Sequence, residues 1–442
     1  MNEVEFSLVV PTRERADTLR YTLLACLRQD FDSYEIVVCD NCSSPATRQV
    51  VEEIGSPKII YRRAPEPLCM RDNWNLAYSL TRGKYVIYIG DDDSLMPFAL
   101  STLRGLFARQ NVKAIRWDSA IYSWPNIARD DLANHLQIPL TRKVERIDGC
   151  KAMEEVLTGH APATLLPNIY HGCVARQALE EIRATTGKVF ESFHCDTYSS
   201  FAVAYIAGEY LSLSAPLSIS GFSASSNHIA FSFLRSKHRI AATLRNENDA
   251  AGLRLHPSVP DLPSGFVCVA DSFLRAKADL FPDDPISLDR EAMVERFLLA
   301  PPIDDLDEWP SVETELRRSL SDDPALASWF EKRMENFTPQ PSPRDSYRPD
   351  LEGIHVQRLF LDTSKYGVTD IAGATRLSTR LLGYGGKTPE WIAGLAPADS
   401  ALSTFYRHKR LELLLKLLKA RSLAGSARRP TRSERSTGVN GC

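Results

Sequence analysis

Over the first 117 residues, short apolar runs alternate with stretches in which leucines and other apolar residues recur at helical spacing. Phe6-Ser-Leu-Val-Val10 predicts a buried strand, and Asp17 to Arg28 predicts a helix with Leu19, Leu23, Leu24 and Leu27 on one face. Glu35 to Asp40 predicts a second strand, and Pro45 to Ile54 a helix opened by Ser43-Ser44 with proline at an early position. Lys58 to Tyr61, Lys84 to Ile89 and Val112 to Trp117 predict further strands. Asp72 to Thr81, closed by Gly83, and Pro97 to Arg109 predict the helices between them. Strands alternating with helices of this length indicate βαβ units, hence an α/β domain with a mainly parallel sheet.

Beyond Trp117 the pattern loosens. Asp118 to Ile147 is irregular and polar, which predicts a long loop or insertion over a site. Gly149 to Leu157, Ala175 to Ile182 and His194 to Ala207 predict helices, and Glu209 to Leu213 and Pro216 to Ser220 predict late strands. Gly221 to His228 is a Ser/Gly/Asn-rich loop. Strand signals then fade, and helical patterns are broken by turns such as Pro282-Asp-Asp-Pro285 and Pro301-Pro302. These changes divide the chain into an α/β domain over 1–230, a helical region over 231–420 and a basic, disordered tail over 421–442.

Composition narrows the class. The 442 residues are 43% hydrophobic and 25% charged with a net charge of −3, a balance that argues against nucleic acid as a general partner. No apolar run approaches the roughly 20 residues that span a bilayer. The acidic start Met-Asn-Glu-Val-Glu runs straight into a strand, which predicts no secretory signal and a cytoplasmic protein. Nine scattered cysteines fit reduced thiols, and Cys39-x-x-Cys42 has no second pair to complete a zinc site. Leucines and cations interleave over Phe405 to Leu423, next to an Arg-rich tail. That pattern fits a helix packed on its own domain, and it leaves peripheral membrane contact through 405–435 open.

Chemistry concentrates at predicted strand ends. Asp91-Asp92-Asp93 follows the run Tyr85 to Gly90, where three adjacent carboxylates repel and gain nothing from packing. A divalent cation with oxygen ligands, Mg²⁺ or Mn²⁺, would neutralise them. Pro11-Thr12-Arg13 follows the first strand, Asp40-Asn41 the second, and Arg71-Asp72-Asn73 opens the helix after the third. In a parallel sheet these ends share one edge, where ligands bind. Asp40 suits ribose hydroxyls or a base N–H, while Arg13 and Arg71 suit a phosphate or a base carbonyl.

The stretches Leu8-Val-Val-Pro-Thr-Arg13, Leu24-Ala-Cys-Leu-Arg-Gln29, Tyr34-Glu-Ile-Val-Val-Cys-Asp40-Asn-Cys-Ser43, Met70-Arg-Asp-Asn-Trp-Asn75 and Gly83 to Pro97 resemble family 2 glycosyltransferases, in family order. The resemblance spans roughly residues 5 to 225. It implies a GT-A fold, the nucleotide-diphospho-sugar transferase fold, with a helical C-terminal region. It implies inverting transfer of a sugar from a nucleotide-diphosphate donor to a hydroxyl of a glycan or other acceptor, in bacterial polysaccharide or surface-glycan synthesis. By the same resemblance Asp93, with Asp91 and Asp92 beside it, would hold Mn²⁺ or Mg²⁺ on the donor diphosphate. The triplet can be laid against the family's D-x-D motif in two registers one residue apart. Pro11, Thr12 and Asp40 would hold the nucleoside, and Arg13 and Arg71 the base or phosphate. Asp196, in Phe193-His-Cys-Asp196-Thr-Tyr, corresponds to the family's general base, with Cys195 where glutamate is common. His194 is the substitute base, and His228 lies where some relatives place a further ligand.

Each residue has a plainer reading. The triplet could cap the helix after Pro97, Asp40 could close an Asx turn with Asn41 and Ser43, and Asp196 could cap its own helix. Arg13 and Arg71 could be surface ion pairs, and Trp74 and Trp117 fit the core. A phosphatase of the HAD type would carry its acidic motif after the first strand. A nucleotidyltransferase would carry glycine in the loop Pro11 to Arg15, which has none. The remaining alternative is a non-catalytic nucleotide-sugar binder that retains the pocket.

Overall fold

The computed structural model describes residues 4–127, 129–224, 239–303, 305–341, 351–383, 408–409, 411–412 and 414–416. The order through the α/β part begins β1 (Phe6–Thr12), α1 (Ala16–Cys26), β2 (Tyr34–Asp40), α2 (Pro45–Ile54), β3 (Ile59–Arg63), α3 (Met70–Ser79), β4 (Tyr85–Tyr88), β5 (Ser94–Leu95) and α4 (Ala99–Arg109). It continues with β6 (Ala114–Trp117), β7 (Ala120–Ser123), β8 (His135–Pro139), β9 (Val144–Asp148), α5 (Gly149–Thr158), β10 (Gly172–Ala175), α6 (Arg176–Thr186), α7 (Cys195–Ala207), β11 (Glu209–Leu213) and β12 (Ser218–Phe222). The helical part holds α8 (Arg239–Ala250), α9 (Gly265–Leu280), α10 (Arg290–Leu299), α11 (Trp309–Ser319) and α12 (Pro324–Met334). A hairpin of β13 (Gly353–His355) and β14 (Arg358–Asp362) and a helix α13 (Ile371–Leu382) follow.

The larger sheet has the order β3-β2-β1-β4-β10-β6-β11-β9, with β3, β2, β1 and β4 parallel in sequence and β10 and β9 antiparallel to their neighbours. Its central strands are buried on both faces, which is why they read as continuous apolar runs. Val9, Val37, Val86 and Tyr88 join one core beneath α3, α7 and α9, while Leu8, Val10, Ile36, Val38, Ile87 and Ile89 join the other beneath α1 and α4. Alternate residues serving opposite cores is the period of two that a pleated strand imposes.

The expected long loop over 118–147 instead contains β7, β8 and β9. Leu136 and Ile138 are buried between the less buried His135 and Gln137, an alternation too short to stand out among polar neighbours. The C-terminal part is also not helical throughout. Residues β13 and β14 extend the second sheet, ordered β13-β14-β8-β7-β12-β5, and α13 packs on β5 through Ser94 Oγ and Thr375 Oγ1 at 2.6 Å. In the helical part, α9 lies along α7: Phe201 and Phe273 meet edge to face at 5.4 Å, and Tyr198 Oη donates to Asp279 at 3.0 Å. His228 and nearly all of 405–435 lie outside the described residues. Among the described residues no helix is long and apolar enough to cross a membrane.

Candidate active site at the strand edge

Parallel pairing sets Thr12 opposite Asp40 at the ends of β1 and β2. Thr12 Oγ1 donates to Asp91 Oδ2 at 2.6 Å, so Thr12, Asp40 and the acidic triplet share one rim of the sheet. All three carboxylates of the triplet are buried, at 3%, 3% and 0% exposure, yet their surroundings differ.

Asp93 is saturated. Its Oδ1 accepts the Gly221 N–H at 2.6 Å, and its Oδ2 accepts the Gly90 N–H at 2.5 Å and the Tyr170 hydroxyl at 2.6 Å, with His171 Nε2 at 3.0 Å. Burial pushes its acidity the unfavourable way, but His171, Tyr170 and the Gly221 N–H prevail and hold Asp93 below the ordinary carboxylate value. Asp91 accepts from Thr12 and from Arg15 Nη1 at 3.0 Å, and its net shift is upward because burial outweighs both. Asp92 is the least compensated. Among the described residues its Oδ2 accepts only the Ser223 hydroxyl at 2.7 Å, with Arg15 Nη1 at 3.7 Å, and burial pushes its pKa to about 7.

Two glycines permit this crowding. A Cβ on Gly221 would stand 1.8 Å from the Asp92 carbonyl oxygen, and one on Gly90 would stand 2.8 Å from Tyr170 Oη and 3.0 Å from carboxylate oxygens of Asp92 and Asp93. Trp124 Nε1 and Thr22 Oγ1 donate to the carbonyls of Asp92 and Asp91 at 3.0 and 2.9 Å, so the backbone of the triplet is also pinned.

The other residues singled out above fall as follows. Pro11 and Thr12 lie at the rim. Asp40 is fully buried, accepting the Ser43 N–H at 2.8 Å and the Tyr61 hydroxyl at 2.6 Å, so it does close the turn and stays anchored under the rim. Arg13 turns away from the triplet and pairs with Glu247 of α8. Arg15, two residues on, reaches the triplet in its place. Arg71 is held by Asp72 and Glu191, each at 2.8 Å. Asp196 is not a cap, since His194 occupies that position; it sits partly exposed in the first turn of α7, and its carboxylate accepts no hydrogen bond from a described residue. Asn75 of α3 ties down the loop before it, donating to the Phe190 carbonyl at 2.9 Å and accepting the Val189 and Phe190 N–H groups at 3.1 and 3.2 Å. An aromatic series runs from Asp93 to that loop: Tyr170 stacks on Trp74 at 6.0 Å, and Trp74 meets Phe190 edge-on at 5.2 Å.

Arg15, Tyr170, His171, Gly221 and Ser223 were not legible as site residues. Tyr170 and His171 occupy a stretch without periodicity and reach the site through an isolated bridge between Tyr170 and Tyr88. Among the described residues no group of three or more His, Cys, Asp or Glu side chains forms a metal cage, and the described cysteines are all free thiols.

Residues 7–153 match the family model for glycosyl transferase family 2. Over that third of its length the chain is similar to family 2 glycosyltransferases, and the matched stretch holds the parallel strands β1 to β4 and the acidic triplet. Among curated proteins, it is 31% identical over 107 residues to the GalNAc(5)-diNAcBac-PP-undecaprenol beta-1,3-glucosyltransferase of Campylobacter jejuni, covering 22% of this chain and 33% of that one. It is 29% identical over 102 residues to the putative colanic acid biosynthesis glycosyl transferase WcaA of Escherichia coli, covering 23% of this chain and 37% of that one. The chain thus spans about a third of the length of the curated relatives it matches. Among solved structures, S. aureus TarS in complex with UDP-GlcNAc superposes with a TM-score of 0.44 at 16% identity, covering 72% of this chain and 80% of that one.

Proposed function

We propose that the protein transfers a sugar, with inversion, from a nucleotide-diphosphate donor to an acceptor hydroxyl, and that Asp92 and Asp91 hold a divalent cation on the donor. The observation that carries this reading is the contrast within the triplet: Asp93 has its charge met by three protein donors, whereas Asp92 is a buried carboxylate with, among the described residues, one neutral donor and the Arg15 guanidinium at 3.7 Å. The ligand role therefore moves from Asp93 to its neighbours. Two hard carboxylate oxygens fit Mn²⁺ or Mg²⁺, which take one or two protein carboxylates and complete their shells with phosphate and water oxygens. When bound, the cation supplies Lewis-acid stabilisation of the charge on the departing diphosphate.

The chain's own residues do the rest. Asp93 fixes the triplet's backbone by binding Gly90 and Gly221. Asp40 and Thr12 shape the rim beside the triplet, where the nucleoside would sit. The Asp196 carboxylate accepts the acceptor hydroxyl's proton as that oxygen forms a bond to the anomeric carbon. The bond from that carbon to the diphosphate breaks on the opposite face, and the nucleoside diphosphate leaves with the electron pair. Arg13 and Arg71, already engaged in ion pairs, would reach the donor only by exchanging Glu247 or Glu191 for phosphate. The matched glycosyltransferases carry names from bacterial glycan synthesis, and a surface-glycan acceptor handled at the cytoplasmic side is the corresponding reading here.

The test is thermal stabilisation by UDP-, GDP- and dTDP-sugars with and without Mn²⁺. One donor should stabilise the wild type in a Mn²⁺-dependent way and fail to stabilise Asp92→Asn. Absence of any metal-dependent stabilisation would count against the reading.

A further inference from the structure

We propose that the helical region completes the active site, through a buried tether between Asp271 of α9 and Ser192 that positions Asp196. This rests on the reading of Asp196 as the base. Asp271 is fully buried. Its Oδ2 accepts the Ser192 hydroxyl at 2.6 Å, its Oδ1 accepts the His256 N–H at 2.7 Å, and Arg275 Nε lies 3.0 Å from both oxygens. Among these donors only Ser192 belongs to the α/β part; His256 and Arg275 belong to the helical part.

Ser192 is equally buried and has a left-handed backbone, with φ at +73°. Its Oγ also accepts the His194 N–H at 3.4 Å and lies 3.3 Å from the Ser272 hydroxyl of α9. His194 is the residue that starts α7, and Asp196 lies in that helix's first turn. Because no described residue holds the Asp196 carboxylate by a hydrogen bond, its place is dictated by the backbone that delivers it. That backbone is fastened at Ser192 to a charge-assisted hydrogen bond, the stronger kind, and not to anything else in its own loop that is buried and charged. Ser192 is thus a positioning residue, acting through the start of α7.

The discriminating variant is Ser192→Gly. Glycine accepts a positive φ without strain, so the substitution keeps the loop's shape and deletes only the hydroxyl. The readouts are Mn²⁺-supported hydrolysis of whichever UDP-, GDP- or dTDP-sugar the wild type turns over fastest, the melting temperature, and amide hydrogen exchange over residues 193–198. The tether predicts that kcat falls roughly tenfold while donor KM stays within about twofold, as expected for a misplaced catalytic group. It also predicts faster exchange at 193–198 and a modestly lower melting temperature, since a buried carboxylate loses one donor. Asp271→Ala combined with Ser192→Gly should be no slower than Asp271→Ala alone, because loss of either side chain cuts the same link. Unchanged exchange at 193–198, or kcat within about twofold of wild type, overturns the tether. Asp196→Asn, measured alongside, separates the two ideas: retained turnover there overturns the base, whereas the exchange experiment reads the tether regardless.

Discussion

Asp93→Asn is the substitution that most sharply separates the two halves of the acidic triplet. The carboxylate receives two backbone N–H groups and a phenol at 2.5 to 2.6 Å and has an imidazole nitrogen 3.0 Å away, with no exposure to water. An asparagine can present one acceptor oxygen to these donors, and its amide N–H₂ must then point at the remaining ones. With the amide oxygen in the place of Oδ2 the Gly221 contact to a charged acceptor is lost, at about 1.5–3 kcal/mol, so the expected loss is at least about 1.5–3 kcal/mol. Against a total stability of about 5–15 kcal/mol this is a large fraction. Asp92→Asn should behave in the opposite way. It keeps an acceptor for Ser223, leaves Arg15 paired with Asp91 at 3.0 Å, and removes a buried charge with little compensation. Its stability should stay within about 1 kcal/mol of wild type or rise. The assay is urea unfolding without metal, followed by tryptophan fluorescence, to which Trp124 reports directly through its bond to the Asp92 carbonyl. An Asp93→Asn midpoint equal to wild type, or an equal loss in both variants, would refute the division into a scaffolding and a cation-binding carboxylate.

Arg15→Gln removes a positive charge 3.0 Å from Asp91 and 3.7 Å from Asp92. Unit charges at about 4 Å interact by about 4 kcal/mol at an effective dielectric of about 20, so removing this competitor should tighten binding of Mn²⁺ alone severalfold, read as loss of the free-ion EPR signal. Weaker binding would mean that Arg15 instead holds the carboxylates in place. Burial lowers the pKa of His135, His194 and His256 from the ordinary 6.5. Below pH 6.5 the unfolded chain therefore binds protons at these histidines that the folded chain does not, a destabilising contribution as pH drops from about 6.5 to about 5, while Asp92, raised to about 7, contributes in the opposite direction. Melting temperatures measured across that range should fall less, or rise more, in His256→Asn than in the wild type; identical pH profiles in the two would contradict the histidine contribution.

The parallel strands were readable because burial on both faces leaves long apolar runs, as in Phe6 to Val10 and Tyr85 to Ile89. The strands β7, β8 and β14 escaped because only two residues of each short alternation, such as Leu359 and Leu361, reach the core. The acidic rim was equally visible, since three carboxylates after a buried strand have no packing role. The difference in their surroundings was not. It depends on Gly221, Tyr170 and His171, whose approach to Asp93 is set by tertiary pairing and leaves no local pattern. The choice between Arg13 and Arg15 was similarly hidden: Glu14 between them takes a left-handed φ of +54°, and the two arginines part company there.

The account's central claim is best tested by nucleoside diphosphate release from a panel of UDP-, GDP- and dTDP-sugars, with Mn²⁺ and after chelation. Wild type should release product from one donor only with metal present. Asp92→Asn should lose donor binding and turnover together, whereas Asp196→Asn should bind donor normally and lose turnover. Metal-independent release, or full activity in Asp92→Asn, would contradict the account.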